Sequence, residues 1–133
     1  MIVEHVAWQV RDPVACAEWY VEHLGMKILR KGGPPAHARF LADGTGRLLL
    51  EIYNNPKLEV PDYPKMDPLL LHLAFSVKDV EWERDRLVQA GAAVVDPFSR
   101  TDIGDEMAML RDPWGLPLQL MKRSRPMKEA GVQ

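Results

Sequence analysis

The chain has 133 residues, 47% of them hydrophobic, with 17 basic and 19 acidic side chains and a net charge of −2. That length suits one domain, which buries roughly two-thirds of the surface its unfolded chain would expose. No basic stripe is interleaved with aromatics and no apolar run approaches a bilayer span. This argues against nucleic acid or membrane as a partner and favours a small-molecule ligand. The single cysteine, Cys16, cannot pair within the chain, and no signal peptide precedes the first strand, so a cytoplasmic location is expected.

In chain order, Ile2 to Val10 alternate as a strand, with Ile2, Val6, Trp8 and Val10 on one face and Val3, His5, Ala7 and Gln9 on the other. Asp12-Pro13 reads as an N-cap followed by proline at the first helical position, and Gly25 as the stop of a one-sided helix. Strands are predicted at Met26–Arg30, Ala38–Ala42 and Arg47–Tyr53, separated by turns at residues 32–35 and 43–46. Residues 2–53 are therefore a βαβββ module. Residues 54–68 hold Pro56, Pro61, Pro64 and Pro68 and read as a linker.

The pattern then restarts. Leu69–Val77 is predicted as a strand, Asp79 caps a helix ending near Gly91, and strands follow at Ala92–Val95, Met107–Arg111 and Pro117–Lys122. Residues 69–122 form a second βαβββ module, and residues 123–133 are a polar tail expected to fray. The repeat is visible in single residues: H-V-A-W-Q-V-R-D from His5 to Asp12 is matched by H-L-A-F-S-V-K-D from His72 to Asp79. The expected fold is α+β, with two βαβββ modules forming a curved eight-stranded mixed sheet, a concave metal or substrate cup, and helices on the outer face. Short strands leave edges that favour pairing, so a homodimer is expected.

Strand phase groups the chemistry. Leu48, Leu50 and Ile52 share one face of the fourth strand, which turns Glu51 to the other; Leu116, Leu118 and Leu120 do the same for Gln119 in the last strand. With the leucine faces packed on the helices, His5, Glu51, His72 and Gln119 project together on the opposite side. Two imidazoles and a carboxylate at matched strand positions suggest a divalent metal site. Trp114, Tyr53, Met107, Met109 and Met121 could line the cup, and His37, Arg39 and Arg47 could hold an acidic substrate group. Cys16 lies within a helix with no activating partner and reads as packing.

These residues resemble the vicinal oxygen chelate superfamily of glyoxalases, extradiol dioxygenases, methylmalonyl-CoA epimerases, and fosfomycin and bleomycin resistance proteins. The resemblance covers about residues 2–122 and rests on H-V-A-W-Q-V-R-D-P, on W-Y-V-E-H-L-G-M, on H-L-A-F-S-V-K-D-V and on L-R-D-P-W-G-L-P-L-Q-L. It implies metal ligands on the first and last strands of each module, which map onto His5, Glu51, His72 and Gln119. In glyoxalase-like members the last of these is commonly glutamate, and here it is an amide. Gln119 keeps an oxygen donor but loses general-base chemistry.

The resemblance therefore implies a metal-dependent lyase or isomerase like glyoxalase, with Ni, Co, Zn, Mn or Fe chelating two neighbouring substrate oxygens and Glu51 as the metal-site carboxylate able to move a proton. The alternative is a non-catalytic small-molecule binding or resistance-type protein of the same fold. Extradiol dioxygenases are disfavoured, because their carboxylate ligand lies where this chain has Gln119. The modules could meet within one chain or across a swapped dimer.

Overall fold

A computed structural model describes residues 1–47 and 49–127. The element order is β1 (Val6–Gln9), α1 (Pro13–Leu24), β2 (Lys27–Lys31), β3 (Arg39–Ala42) and β4 (Leu49–Tyr53), a 3₁₀ turn at Tyr63–Lys65, then β5 (Leu73–Ser76), α2 (Val80–Gln89), β6 (Ala93–Arg100), β7 (Glu106–Arg111) and β8 (Pro117–Lys122). The fold is α+β, and each half is a βαβββ module. The eight strands divide into two four-stranded mixed sheets, ordered β1-β4-β3-β2 and β5-β8-β7-β6. In both, the first strand runs parallel to the last and the remaining pairs are antiparallel. The duplication therefore extends from the sequence to strand order and direction. The chain forms two compact units, Met1–Asp62 and Tyr63–Gln133.

Each helix starts and packs for the same local reasons. The Asp12 carboxylate accepts from the Ala15 N–H at 3.0 Å, and the Asp79 carboxylate accepts from the Trp82 N–H at 2.9 Å. Each satisfies a donor that the first turn of a helix leaves without a partner. Pro13 at the first helical position loses nothing by lacking an N–H, and Gly25 ends α1 in the left-handed region at φ 68°. In the first unit, Cys16, Ala17 and Tyr20 of α1 are buried with Leu41, Leu50 and Ile52. In the second, Val80 and Leu87 of α2 are buried with Ala108, Leu110, Leu118 and Leu120. Asp12→Ala and Asp79→Ala are each expected to cost about 1 kcal/mol in urea denaturation. Near-equal losses are expected because the two caps are geometrically equivalent.

Several strands differ in length from the sequence expectation. β1 and β5 begin at Val6 and Leu73, because the first ladder pairs are Val6 with Leu50 and Leu73 with Leu118. Ile2 and Val3 extend beyond the ladder and are exposed. β6 runs on to Arg100 past Pro97, which the edge position of this strand and two register shifts around Asp96 accommodate. Leu48, expected on the leucine face, and residues 128–133 of the tail lie outside the described residues.

Part of the proline-rich segment is built into the second unit. Arg111 donates from Nη1 to the Tyr63 carbonyl at 2.8 Å and from Nη2 to the Met66 carbonyl at 2.6 Å, clamping the 3₁₀ turn onto β7. Pro64 lies in the first turn of this element, where its missing N–H forfeits no intrahelical bond. No helix among the described residues is long and apolar enough to cross a membrane.

Candidate functional site

His5 and His72 each occupy the residue just before the first strand of their module. Two positions on, Ala7 pairs with Glu51 across β1–β4, and Ala74 pairs with Gln119 across β5–β8. Residues two apart on a strand share a face, and so do ladder partners. The set His5, Ala7 and Glu51 is therefore repeated, in the same register, by His72, Ala74 and Gln119. The neighbouring positions turn the other way: Leu50 and Ile52 in β4, and Leu118 and Leu120 in β8, are at most 1% exposed.

In the first unit the imidazole and the carboxylate meet. His5 Nε2 lies 3.3 Å from Glu51 Oε2, and the His5 ring stands edge-on to Phe40, with centroids 5.8 Å apart and planes at 88°. Phe40 is the β3 ladder partner of Glu51, so this wall follows from register. The other ring nitrogen, Nδ1, is bonded to the Glu4 carboxylate. That bond chiefly, with Coulombic attraction from Glu4 and Glu51, raises the His5 pKa above the ordinary histidine value.

In the second unit His72 Nδ1 lies 2.9 Å from the Pro68 carbonyl. A carbonyl oxygen only accepts, so Nδ1 carries the proton and the lone pair of the neutral ring is on Nε2. Glu4 acts on His5 in the same sense, since its carboxylate accepts a hydrogen bond from Nδ1–H. Both imidazoles are thus held through Nδ1 by a group preceding them in the chain, which is the arrangement that orients histidines that ligate metals through Nε2. Sequence reading missed Glu4 and Pro68. The signal available was their position just ahead of the two matched histidines.

Gln119 is half-buried and lines a cavity of about 400 Å³ together with Ala74, Ser76 and Met121. Its antiparallel partner is Met109, and Met107 pairs with Met121, so three of the methionines expected on this face occupy it. Tyr53 shares the Glu51 face of β4. Trp114 sits in the turn before β8, its backbone N–H donating to Asp112. Arg39 Nη1 is bonded to the carbonyls of Gly32, His37 and Ala38, and so braces the β2–β3 connection. His37, at φ 48°, lies exposed in that connection, and the Arg47 backbone N–H closes the turn at Asp43. Cys16 is fully buried in α1.

Among the described residues, no three His, Cys, Asp or Glu side chains stand together as a metal site. The chemistry of the donors still fits a divalent ion. His5 and Glu51 form a nitrogen–oxygen pair at 3.3 Å, and His72 and Gln119 present the same donor types at the duplicated positions.

A family model described as the glyoxalase/bleomycin resistance protein/dioxygenase superfamily matches residues 2–120. No curated protein matches the chain. Among solved structures, the protein SMU.1112c is 34% identical, with a TM-score of 0.70 over 92% of this chain and 98% of that one. A glyoxalase family protein from Enterococcus faecalis is 32% identical, with a TM-score of 0.69 over 90% of this chain and 96% of that one. A variant of glyoxalase I from Zea mays shares the fold at 24% identity, with a TM-score of 0.74 over 93% of this chain and 46% of that one.

Proposed function

The chain belongs to the glyoxalase/bleomycin resistance protein/dioxygenase superfamily, and from that premise we propose that it is a metal-dependent lyase or isomerase acting on a small molecule with two neighbouring oxygens. The observation that carries this reading is the repeated anchoring of His5 and His72 through Nδ1, which leaves both Nε2 atoms as donors. His5, Glu51 and His72 are the ligands, with Gln119 as a weaker fourth. A divalent ion held by them supplies a Lewis acid towards the substrate oxygens. Superfamily members typically bind such an ion and often dimerise, and a homodimer in the cytoplasm fits this reading.

Glu51 has the second task of moving a proton at the carbon beside the substrate carbonyl. It is the one carboxylate in the matched set, since Gln119 stands at the equivalent position and an amide accepts no proton near neutral pH. Its side chain is about one-fifth exposed, enough to reach a ligand while staying partly desolvated. The methionine-lined face beside Gln119 offers apolar contact to the rest of the substrate.

The test is exchange of the α-hydrogen of α-hydroxy and α-keto compounds into deuterated water, read by NMR. The wild-type protein is expected to exchange at least one of them, and Glu51→Gln to lower that rate by a factor of 100 or more, in the range of general-base catalysis at about 10²–10⁴. Glu51→Gln should keep part of the metal affinity, because an oxygen donor remains. Gln119→Glu should tighten metal binding by about tenfold through the added charge. Unchanged affinity in Gln119→Glu would remove this side chain from the ligand set. The binding-protein reading draws on the Gln119 cavity, and it takes over if metal is absent and Glu51→Gln binds ligand as the parent does.

A further inference from the structure

A second concavity of the Tyr63–Gln133 unit lies beyond the end of β8. It has a volume of about 460 Å³ and is lined by Ile103, Asp105, Arg123, Ser124, Arg125 and Met127. Its floor is constructed rather than incidental. Asp105, only 4% exposed, accepts from the Arg123 guanidinium at 2.7 Å, the Ser124 N–H at 2.8 Å and the Ser124 hydroxyl at 3.0 Å. These bonds draw the carboxyl of Asp105 below the ordinary aspartate range, the Ser124 N–H being the largest cause. They also fix the backbone at Arg123 and Ser124, and Arg125, the next residue, joins Arg123 in lining the concavity.

The remaining cations nearby are committed. Lys122 and Arg100 both pair with Glu106. Arg125 takes no ion-pair partner among the described residues; Arg100, Lys122, Arg123 and Arg125 stand against Asp102, Asp105 and Glu106, which leaves one net positive charge at this corner. The walls carry the opposite character, since Ile103 and Met127 are 75% and 79% exposed and line the concavity. Arg123 and Met127 also line the cavity of Gln119 and Met121, so the two spaces share a wall.

We propose that this corner binds a small organic anion, with its carboxylate or phosphate held by Arg125 and Arg123 and its apolar chain laid along Ile103 and Met127 towards Met121. A charge alone would be served by the arginines, and an apolar body alone would gain nothing from placing them there. The combination selects an aliphatic molecule with one acidic end. The acidic end of this site, at Arg123 and Arg125, involves none of the proposed metal ligands and needs no metal, while its apolar end reaches the wall shared with the Gln119 cavity.

The experiment titrates the full chain with hexanoate, hexyl phosphate, hexanamide and inorganic phosphate, following backbone amides by NMR. Hexanoate or hexyl phosphate should shift Ile103, Ser124 and Arg125 and bind about tenfold or more tightly than hexanamide, as a charge-assisted hydrogen bond implies. Whichever anion binds more tightly identifies the head group. Inorganic phosphate should bind more weakly than hexyl phosphate, because it lacks the chain. Arg125→Gln should bring the anions to the hexanamide level without changing the urea midpoint. The proposal is overturned if hexanamide binds as well as the anions, if Arg125→Gln leaves their binding unchanged, or if the shifts fall elsewhere or do not occur.

Discussion

Gly115→Ala is expected to destabilise the second module by about 3 kcal/mol or more, combining left-handed backbone strain with overpacking. Gly115 sits in the turn before β8 at φ 89°, a conformation that L side chains rarely adopt. A Cβ built there would lie 2.5 Å from both Cδ and Cγ of Pro64 and 2.9 Å from its backbone nitrogen. Pro64 cannot retreat easily, because Arg111 holds the carbonyls of Tyr63 and Met66 on either side of it. Urea denaturation followed by tryptophan fluorescence measures the loss. Gly44→Ala is the control: a Cβ there meets nothing within 4 Å, and its midpoint should stay within about 0.5 kcal/mol of the parent. A Gly115→Ala protein as stable as that control would show that the turn yields.

The second large effect concerns the two histidines. His5→Ala and His72→Ala are each expected to weaken divalent metal binding by about 100-fold or more, beyond the 10- to 100-fold typical of losing an outer partner of a ligand. Neither should unfold the chain, since both residues are exposed and lie off the leucine faces that pack on the helices. Their losses should be similar in size, because the two stand in equivalent registers. Equilibrium dialysis with cobalt or nickel, beside a urea curve for each variant, separates ligand loss from unfolding. Loss of fold in either would mean that the imidazole holds the module together instead.

Much of this was readable from local chemistry. Asp12-Pro13, Gly25 and Asp79 mark helix ends through bonds made within a few residues, so both helices were legible to within a residue or two. The shared face of His5 with Glu51 was legible because strand alternation is strict and counting from Leu50 and Ile52 fixes it. Strand limits were less so: β1 begins where Leu50 supplies a ladder partner, which depends on a residue more than forty positions away. β6 passes Pro97 only because it is an edge strand, a fact of sheet order. The anchoring of His72 by the Pro68 carbonyl depends on a backbone path that side-chain pattern does not encode. Arg39, read as a possible anion holder, has a donor engaged by the carbonyls of its own turn. The Arg123–Asp105 bond likewise joins the start of the tail to the approach to β7, a pairing invisible to periodicity.

The most direct test of the central claim is the X-ray absorption spectrum of the protein loaded with one equivalent of cobalt or nickel. Two imidazole nitrogens are expected in the coordination shell, with oxygen donors from Glu51 and Gln119, at distances of about 2.0–2.2 Å. A shell of water and carboxylate oxygens without imidazole, or with a single one, would contradict that claim.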